Sequence, residues 1–384
     1  MKQKDAIYMT VQDTLAQLVS IDSVSARSNT PITEYLARRC EALGLRVWTF
    51  PYSDSNGIEK TNLIALAGTK LSVDASVELA LVGHTDTVPY DAGWTEALTL
   101  IDRDGKLYGR GACDTKGFIA AALTSIETLD MTRLRRPLAL IFTADEEVGL
   151  LGAKRLAQSK PLRMRYSIVG EPTSLTPIRA GKGYSLAEVI VRGVEAHSAY
   201  PALGASAIFR AVRLISKIES IAQRLPEDQH PDFDPPYTTL NVGLIRGGAA
   251  KNVIAGECRF TLEWRPIPSQ KSTHVLDLLN AAIDEEKRDC PDFECEVDAG
   301  RADAGFETSL NSPLVTMLEK LTGKTAGTVA FGTEAGQMTT LGSEAVVLGP
   351  GDIRVAHRTG EFVPVEELRR CTEILTQAVT SMCF

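Results

Sequence analysis

Imidazole and carboxylate side chains recur along this 384-residue sequence where an apolar, strand-like run ends or a turn begins. These positions are His84, Asp86, Asp114, Glu146, Glu147, Glu171 and His357. Two imidazoles and several carboxylates, with no cysteine among them, suit one or two divalent ions of the zinc, cobalt or manganese type. Open parallel sheets bind ligands at the carboxyl ends of their strands, so the repeated strand-end placement favours a single site. The pattern predicts a metallohydrolase.

Each of these residues also has an ordinary structural interpretation. A lone histidine at a strand end, such as His84, is commonly just hydrogen-bonded, but Asp86 two residues later can accept one ring N–H and leave the other nitrogen for a metal. Asp114 precedes a helix-like apolar run and could simply cap that helix. Adjacent carboxylates such as Glu146 and Glu147 usually indicate a solvated turn. The local sequence leaves these alternatives open.

The order of the motifs resembles that of the M20 family of di-zinc peptidases and deacylases. The matching segments are His84-Thr-Asp-Thr-Val-Pro89, Gly109-Arg-Gly-Ala-Cys-Asp-Thr-Lys-Gly117, Asp145-Glu-Glu-Val-Gly149, Gly170-Glu-Pro-Thr173, Ala196-His-Ser-Ala-Tyr-Pro201, Lys251-Asn-Val-Ile254, Arg265-Pro-Ile-Pro268 and Gly349-Pro-Gly-Asp-Ile-Arg-Val-Ala-His357. The likeness therefore covers nearly the whole chain. Within the family it is strongest to the deacetylases that act on N-acetylornithine, through Glu171-Pro-Thr-Ser-Leu175, Thr239-Leu-Asn-Val-Gly243 and Thr333-Glu-Ala335.

The resemblance implies a centre of two divalent ions, Zn²⁺ or Co²⁺. Asp114 would bridge both ions, with His84 and Glu171 completing one site and Glu147 and His357 completing the other. Three anionic ligands and two neutral imidazoles nearly offset two divalent charges. We therefore expect two metal ions as the cofactor.

The same resemblance assigns the chemistry to Glu146, which stays unligated and acts as the general base. It would take a proton from the attacking water and return it to the leaving amine, while Asp86 orients the neighbouring histidine ligand. A cis peptide bond between Asp114 and Thr115 is implied as well.

Four further residues are candidates for substrate contacts: His197, Asn252, Arg265 and Glu334. By resemblance, His197 reaches the partner's active site in a dimer and steadies the oxyanion, and Asn252 and Arg265 bind amide and carboxylate groups. Glu334 is our candidate for a substrate ammonium. The alternatives are a histidine in a surface turn, a structural ion pair for Arg265, and a solvated loop position for Glu334.

The arrangement of apolar runs predicts an inserted domain. Helical and strand-like segments alternate up to about residue 180, and residues 181–297 then follow the order β-α-β-β-α-β of a ferredoxin-like unit, with a loop over residues 223–236. Because His357 comes after this unit, the metal-binding domain should be discontinuous, with parts at 1–180 and 298–384. We expect an aminopeptidase-like α/β catalytic domain and an α+β lid and dimerisation domain.

Composition restricts the protein's class and location. The chain is 44% hydrophobic and 23% charged, which is enough to bury a core, and its net charge of −8 argues against nucleic acid as a partner. No apolar run approaches the roughly 20 residues of a membrane span, and the start, Met1-Lys-Gln-Lys-Asp5, lacks the apolar stretch of a signal peptide. Seven cysteines without CxxC spacing fit reduced thiols. A cytoplasmic protein is expected.

The reaction expected from the resemblance is removal of acetate from N2-acetyl-L-ornithine by a homodimer, giving L-ornithine for arginine synthesis. Related substrates remain alternatives: those of a succinyl-diaminopimelate desuccinylase, an acetylcitrulline deacetylase or a dipeptidase. Thr333-Glu-Ala335 stands where the desuccinylases usually have Thr-Ser-Asp. A catalytically inactive binding scaffold is a further alternative, disfavoured because all five metal positions and the base are present.

Overall fold

The structure, a computed structural model, describes residues 9–68 and 76–384. The chain start, from which the sequence predicts that no signal peptide is present, lies outside the described residues. The helices are α1 (Val11–Ser20), α2 (Thr30–Ala42), α3 (Lys116–Glu127), α4 (Leu151–Ser159), α5 (Ala207–Arg224), α6 (His274–Asp289), α7 (Pro313–Thr322), α8 (Ala335–Thr340) and α9 (Val365–Cys383). The strands are β1 (Arg46–Ser53), β2 (Glu59–Ala67), β3 (Ser76–His84), β4 (Ile101–Arg103), β5 (Lys106–Tyr108), β6 (Leu138–Thr143), β7 (Arg163–Val169), β8 (Ile178–Gly181), β9 (Tyr184–Arg192), β10 (Thr239–Gly247), β11 (Glu257–Arg265), β12 (Glu294–Asp303), β13 (Phe306–Glu307), β14 (Gly327–Val329), β15 (Glu344–Val347) and β16 (Phe362–Pro364).

The chain divides into two compact units. The first comprises Met1–Arg179, Glu307–Gly327 and Gln337–Phe384, and the second comprises Ala180–Phe306 and Thr328–Gly336. The second unit extends past residue 297 because β12 remains paired with β9 as far as Asp303.

The main sheet has the strand order β1-β2-β6-β3-β7-β15-β8-β13, and β14 pairs with β8. Its middle strands β6, β3, β7 and β15 are mutually parallel, whereas β1, β2 and β8 join with antiparallel pairings. Every residue of β6 is buried, as expected for a parallel strand covered on both faces. The central part of the predicted α/β sheet is therefore parallel, and its edges are mixed.

Helices pack around this sheet through long apolar side chains. Helices α1, α3 and α9 contact one another, and α3 and α9 also contact β3. Leu15, Phe118, Leu81 and Leu375 are almost fully buried in the resulting core. Because parallel strands point the same way, the carboxyl ends of β3, β6, β7 and β15 lie at one edge of the sheet.

The second unit is a four-stranded antiparallel sheet with the order β10-β11-β9-β12. Burial alternates along β9 and β11, so one face of the sheet packs against α5 and α6 around Trp264, Phe260 and Leu214. The predicted order β-α-β-β-α-β is confirmed. The loop predicted over residues 223–236 is also confirmed in its main part, because residues 228–238 form neither helix nor strand.

Among the described residues, no helix combines the length and the apolar character needed to cross a membrane.

Candidate active site

His84 is the last residue of β3, and its side chain is buried. Its Nε2 lies 2.9 Å from Oδ1 of Asp114. Its Nδ1 lies 3.0 Å from the backbone oxygen of Asp86 and 3.6 Å from the carboxylate of that residue. The closest contact of His84 Nδ1 is therefore the backbone carbonyl of Asp86. The sequence predicts the side-chain carboxylate of Asp86 in this place.

The Asp86 carboxylate instead ties the end of β3 to the turn after β6. It accepts the backbone N–H groups of Glu146 at 3.1 Å and Glu147 at 3.2 Å, and the Ser25 hydroxyl donates to it at 2.7 Å. Burial alone would raise the pKa of Asp86, but its interactions with His84 and the hydrogen bond from Ser25 outweigh burial and hold that pKa below its ordinary value. Asp86 is therefore a charged acceptor for the two glutamates that follow β6.

Asp114 occupies the turn before α3. Its peptide bond to Thr115 is cis, as the family resemblance implies. The residue at the N-cap of α3 is Thr115, so the alternative of a capping role for Asp114 is wrong. Burial opposes ionisation, but hydrogen bonds from His357 and His84 hold the pKa of Asp114 well below its usual range.

His357 reaches this turn from the segment after β15. Its Nε2 lies 3.1 Å from Oδ2 of Asp114 and 3.0 Å from Oε1 of Glu147. These two carboxylates raise the pKa of His357 to about 10, while burial raises the pKa of Glu147. The Glu147 side chain is only 8% exposed, so the alternative of a fully solvated turn is wrong for this residue.

Potential ligand atoms gather in overlapping groups. His84, Asp114 and Glu171 form one group, and Asp114, Glu147 and His357 form another, with all ligand atoms of a group within 4.8 Å of one another. A third group contains His84, Glu146 and Glu147. The structure thus brings the predicted positions together from five separate segments of the first unit. Asp114, His84 and Glu147 each belong to two of these groups.

Glu361 is a site residue that the sequence analysis missed. It is buried, and its carboxylate accepts four hydrogen bonds. The donors are the Arg110 guanidinium at 2.6 Å and the backbone N–H groups of Gly111 at 3.0 Å, Cys113 at 2.9 Å and Asp114 at 3.0 Å. The only signal for it was an acidic residue four positions after His357, immediately before the apolar β16. Glu361 fixes the backbone that presents Asp114.

In the second unit, His197 and Asn252 are neighbours. Both residues are exposed. His197 forms an isolated β-bridge with Val253, and the backbone oxygen of Asn252 accepts a hydrogen bond from the Ser198 N–H at 3.0 Å. His197 Nδ1 also accepts a hydrogen bond from the Ala199 N–H at 3.1 Å.

Arg265 and Glu334 have different surroundings in the same unit. Arg265 ends β11, pairs with Glu263 at 2.8 Å, and lies 4.7 Å from the ring centre of Tyr184, so the predicted ion-pair alternative does occur. Glu334 is 1% exposed, so its alternative as a solvated loop residue is wrong.

Comparison with known proteins agrees with this geometry. An acetylornithine deacetylase of Myxococcus xanthus is 53% identical over 371 residues, which are 96% of this chain and 97% of that protein. The crystal structure of a tripeptidase from Staphylococcus aureus matches with a TM-score of 0.75 at 24% identity and covers 97% of both chains. An M20 family metallo-carboxypeptidase from Sulfolobus solfataricus matches with a TM-score of 0.74 at 19% identity, over 96% of this chain and 98% of that chain. The model of peptidase family M20/M25/M40 matches residues 80–381, and this chain is therefore a hydrolase belonging to that family.

Proposed function

We propose that this hydrolase cleaves the amide of N2-acetyl-L-ornithine, giving acetate and L-ornithine, in arginine biosynthesis. The observation that carries the reaction class is the position of Asp114, whose Oδ1 lies 2.9 Å from His84 Nε2 and whose Oδ2 lies 3.1 Å from His357 Nε2, so that it joins two groups of potential metal ligands. The substrate is inferred from the 53% identical relative, which is an acetylornithine deacetylase.

Zn²⁺ or Co²⁺ fits the donor set of both groups. One site would use His84 and Glu171, the other Glu147 and His357, with Asp114 common to both. Imidazole nitrogen and carboxylate oxygen are typical ligands of these ions, and no thiolate belongs to either group. Two divalent ions bound there polarise a carbonyl group and lower the pKa of water.

Glu146 is the proposed general base. It is half-buried, its backbone N–H is held by Asp86, and a carboxylate oxygen lies within 4.8 Å of a ring nitrogen of His84. It accepts a proton from the water that attacks the acetyl carbonyl. When the C–N bond breaks, Glu146 returns this proton to the leaving amine of ornithine.

Substrate selection is assigned to residues of the second unit. Arg265 is proposed to bind the α-carboxylate, since its guanidinium offers a planar pair of donors. Asn252 supplies an amide for the acyl group, and Glu334 binds the side-chain ammonium. His197 is proposed to stabilise the oxyanion in the active site of the other subunit of a dimer.

A homodimer is supported by the surface of the second unit. Strand β10 is an edge strand of its sheet, and Leu244 and Ile245 on it are 60% and 52% exposed. Phe209 on α5, which packs against β10, is 71% exposed. An edge strand with apolar side chains is a site for pairing with a second chain. We propose that β10 pairs with β10 of a second copy.

The dimer is tested by measuring molar mass during size-exclusion chromatography. Leu244→Lys should shift the protein to a monomer at concentrations where the parent protein is dimeric. Leu310→Lys changes a comparably exposed leucine of the first unit and should leave the mass unchanged. A dimeric Leu244→Lys protein would remove β10 from the interface.

A cytoplasmic location is proposed from the relative's activity and from the thiols. All seven cysteines lie in the described residues, and none of them forms a disulfide. Reduced thiols are typical of the cytoplasm.

The function is tested with a panel of amides and protein reconstituted with Zn²⁺ or Co²⁺. N-acetylornithine should give the highest kcat/KM, with N-acetylcitrulline, N-succinyl-diaminopimelate and a dipeptide below it. A higher kcat/KM for one of these three would transfer the assignment to that substrate. Cleavage of none of them by metal-loaded protein would refute the proposed substrate.

A further inference from the structure

We propose that Lys60 is a positioning residue for Glu146 and Glu147, acting through Asp145. The inference rests on the proposed roles of these two glutamates as base and ligand. Lys60 lies near the start of β2, outside every motif of the family resemblance, and is 1% exposed. A buried lysine must find compensating partners, and the charged partner of Lys60, Asp145, lies at the turn after β6.

Lys60 and Tyr52 together hold the side chain of Asp145. The two residues are direct cross-strand partners on β2 and β1. Lys60 Nζ lies 2.7 Å from Oδ1 of Asp145, and the Tyr52 hydroxyl donates to Oδ2 at 2.9 Å. Both carboxylate oxygens of Asp145 are therefore occupied, and the side chain cannot rotate without losing a charged contact.

The backbone of Asp145 explains why this clamp matters. Asp145 has a φ of 57°, in the left-handed region that a residue with a Cβ adopts at an energetic cost. Glu146 and Glu147 follow directly. Without the clamp, Asp145 can relax to a negative φ, and this change would redirect both glutamates.

A second connection from Lys60 reaches the same turn by way of Ser25. Lys60 Nζ donates to the backbone oxygen of Ser25 at 2.6 Å, and the Ser25 hydroxyl donates to Asp86. Asp86 in turn accepts the backbone N–H groups of Glu146 and Glu147. Lys60 thus holds the turn by two routes. One runs through the Asp145 side chain, and the other runs through Ser25 and Asp86 to the backbone amides of the two glutamates.

The test uses Lys60→Met, which keeps an unbranched side chain only one atom shorter but removes its charge and donors. Its kcat should fall by about a hundredfold, the effect of displacing catalytic groups by about 1 Å, with KM nearly unchanged. In cobalt-loaded protein, the visible absorption bands should shift because the Glu147 ligand moves. Unchanged kcat, or unchanged bands, in folded Lys60→Met protein would overturn the inference.

Arg39→Met is the matched control for loss of a largely buried ion pair. Arg39 pairs with Glu127 at 3.4 Å between α2 and the last residue of α3, and their side chains are 17% and 11% exposed. This variant should lose thermal stability but keep kcat and the cobalt spectrum. An equal fall of kcat in both variants would reduce Lys60 to a general contributor to stability.

Three other variants cover the case in which Lys60→Met does not fold. Tyr52→Phe removes one hydrogen bond to Asp145 and should lower kcat by about fivefold. Asparagine adopts a left-handed backbone more readily than alanine does, so Asp145→Asn should keep more activity than Asp145→Ala. Parental kcat in Tyr52→Phe, or equal activity of the two Asp145 variants, would overturn the inference.

The cobalt spectrum also separates this inference from the proposed function, because it does not depend on which amide is cleaved. Failure of the parent protein to bind cobalt would refute the proposed function and, with it, the positioning role. Binding by the parent protein with the same spectrum in Lys60→Met would refute the positioning role alone.

Discussion

Replacing Glu361 by glutamine tests whether this residue holds the turn that carries Asp114. The carboxylate accepts four hydrogen bonds: Oε2 from Arg110 and the Gly111 N–H, and Oε1 from the N–H groups of Cys113 and Asp114. Glutamine has almost the same shape, but one acceptor oxygen becomes an NH₂ donor. Two of the four donors must then face another donor.

The size of the effect follows from which donors lose their acceptor. The glutamine oxygen is expected to face Arg110, since a hydrogen bond from a charged donor is the stronger one. The buried N–H groups of Cys113 and Asp114 then remain unsatisfied. Each such group costs about 1 to 3 kcal/mol, so Glu361→Gln should lower the free energy of unfolding by about 4 kcal/mol.

The assay is urea unfolding, with metal affinity measured on the folded protein. Glu78→Gln is the matched control, since Glu78 bonds Arg136 and Arg165, whose side chains are 57% and 58% exposed. This control should lose about 1 kcal/mol or less, the usual contribution of exposed ion pairs. Glu361→Gln should also bind metal more weakly, because Asp114 is displaced. A loss of free energy no larger than in Glu78→Gln, with parental metal affinity, would refute the reasoning.

Three further predictions concern the centre and its partners. Glu146→Gln should keep both ions by metal analysis while kcat falls about a hundredfold or more, and loss of an ion would make Glu146 a ligand instead of the base. A chelator should lower the melting temperature by roughly 7 °C, the effect expected when two ions, each present at about a hundred times its dissociation constant, are removed from a protein of this length. An unchanged melting temperature after complete removal of metal would contradict a centre built into the fold. His197→Ala should lower kcat without releasing metal. Mixing the His197→Ala and Glu146→Gln proteins under subunit exchange should restore part of the activity. No recovery despite demonstrated exchange would exclude a role for His197 across the dimer.

The sequence predicts the positions on the parallel strands well. His84 and Glu171 follow long apolar runs, and such runs are typical of strands buried on both faces of a parallel sheet. Since strands of this kind end at one edge, the grouping of these residues follows from the strand pattern alone. The ferredoxin-like unit could be predicted for a similar reason, because its strands alternate between buried and exposed residues.

The sequence does not reveal the residues that hold the turns. Glu361 and Arg110 are 251 positions apart, and Lys60 and Asp145 are 85 apart, so no local spacing connects them. Most acceptor contacts of Glu361 are with backbone N–H groups, which every residue except proline possesses. The role of Asp86 was missed for the same reason, because its main partners are the amides of a turn whose geometry only the folded chain defines.

We propose that Glu334 gives the site a preference for ornithine over neutral amino acids. N-acetylornithine carries a side-chain ammonium, and a site that favours it needs an anion at that end. The structure gives Glu334 a 1% exposed position in the Thr333-Glu-Ala335 segment, where solvent screening of its charge is weak. A charge-assisted hydrogen bond in such a place contributes about 1.5 to 3 kcal/mol, which corresponds to about ten- to a hundredfold in kcat/KM.

Glu334→Gln should therefore lower kcat/KM for N-acetylornithine by about ten- to a hundredfold. N-acetylmethionine has a side chain of similar length without a charge, so its kcat/KM should change far less. A structural role of the buried glutamate would weaken the site for every substrate, whereas charge recognition affects only the cationic one. Equal losses for the two substrates would show that Glu334 supports the fold of its segment and does not select the substrate's ammonium.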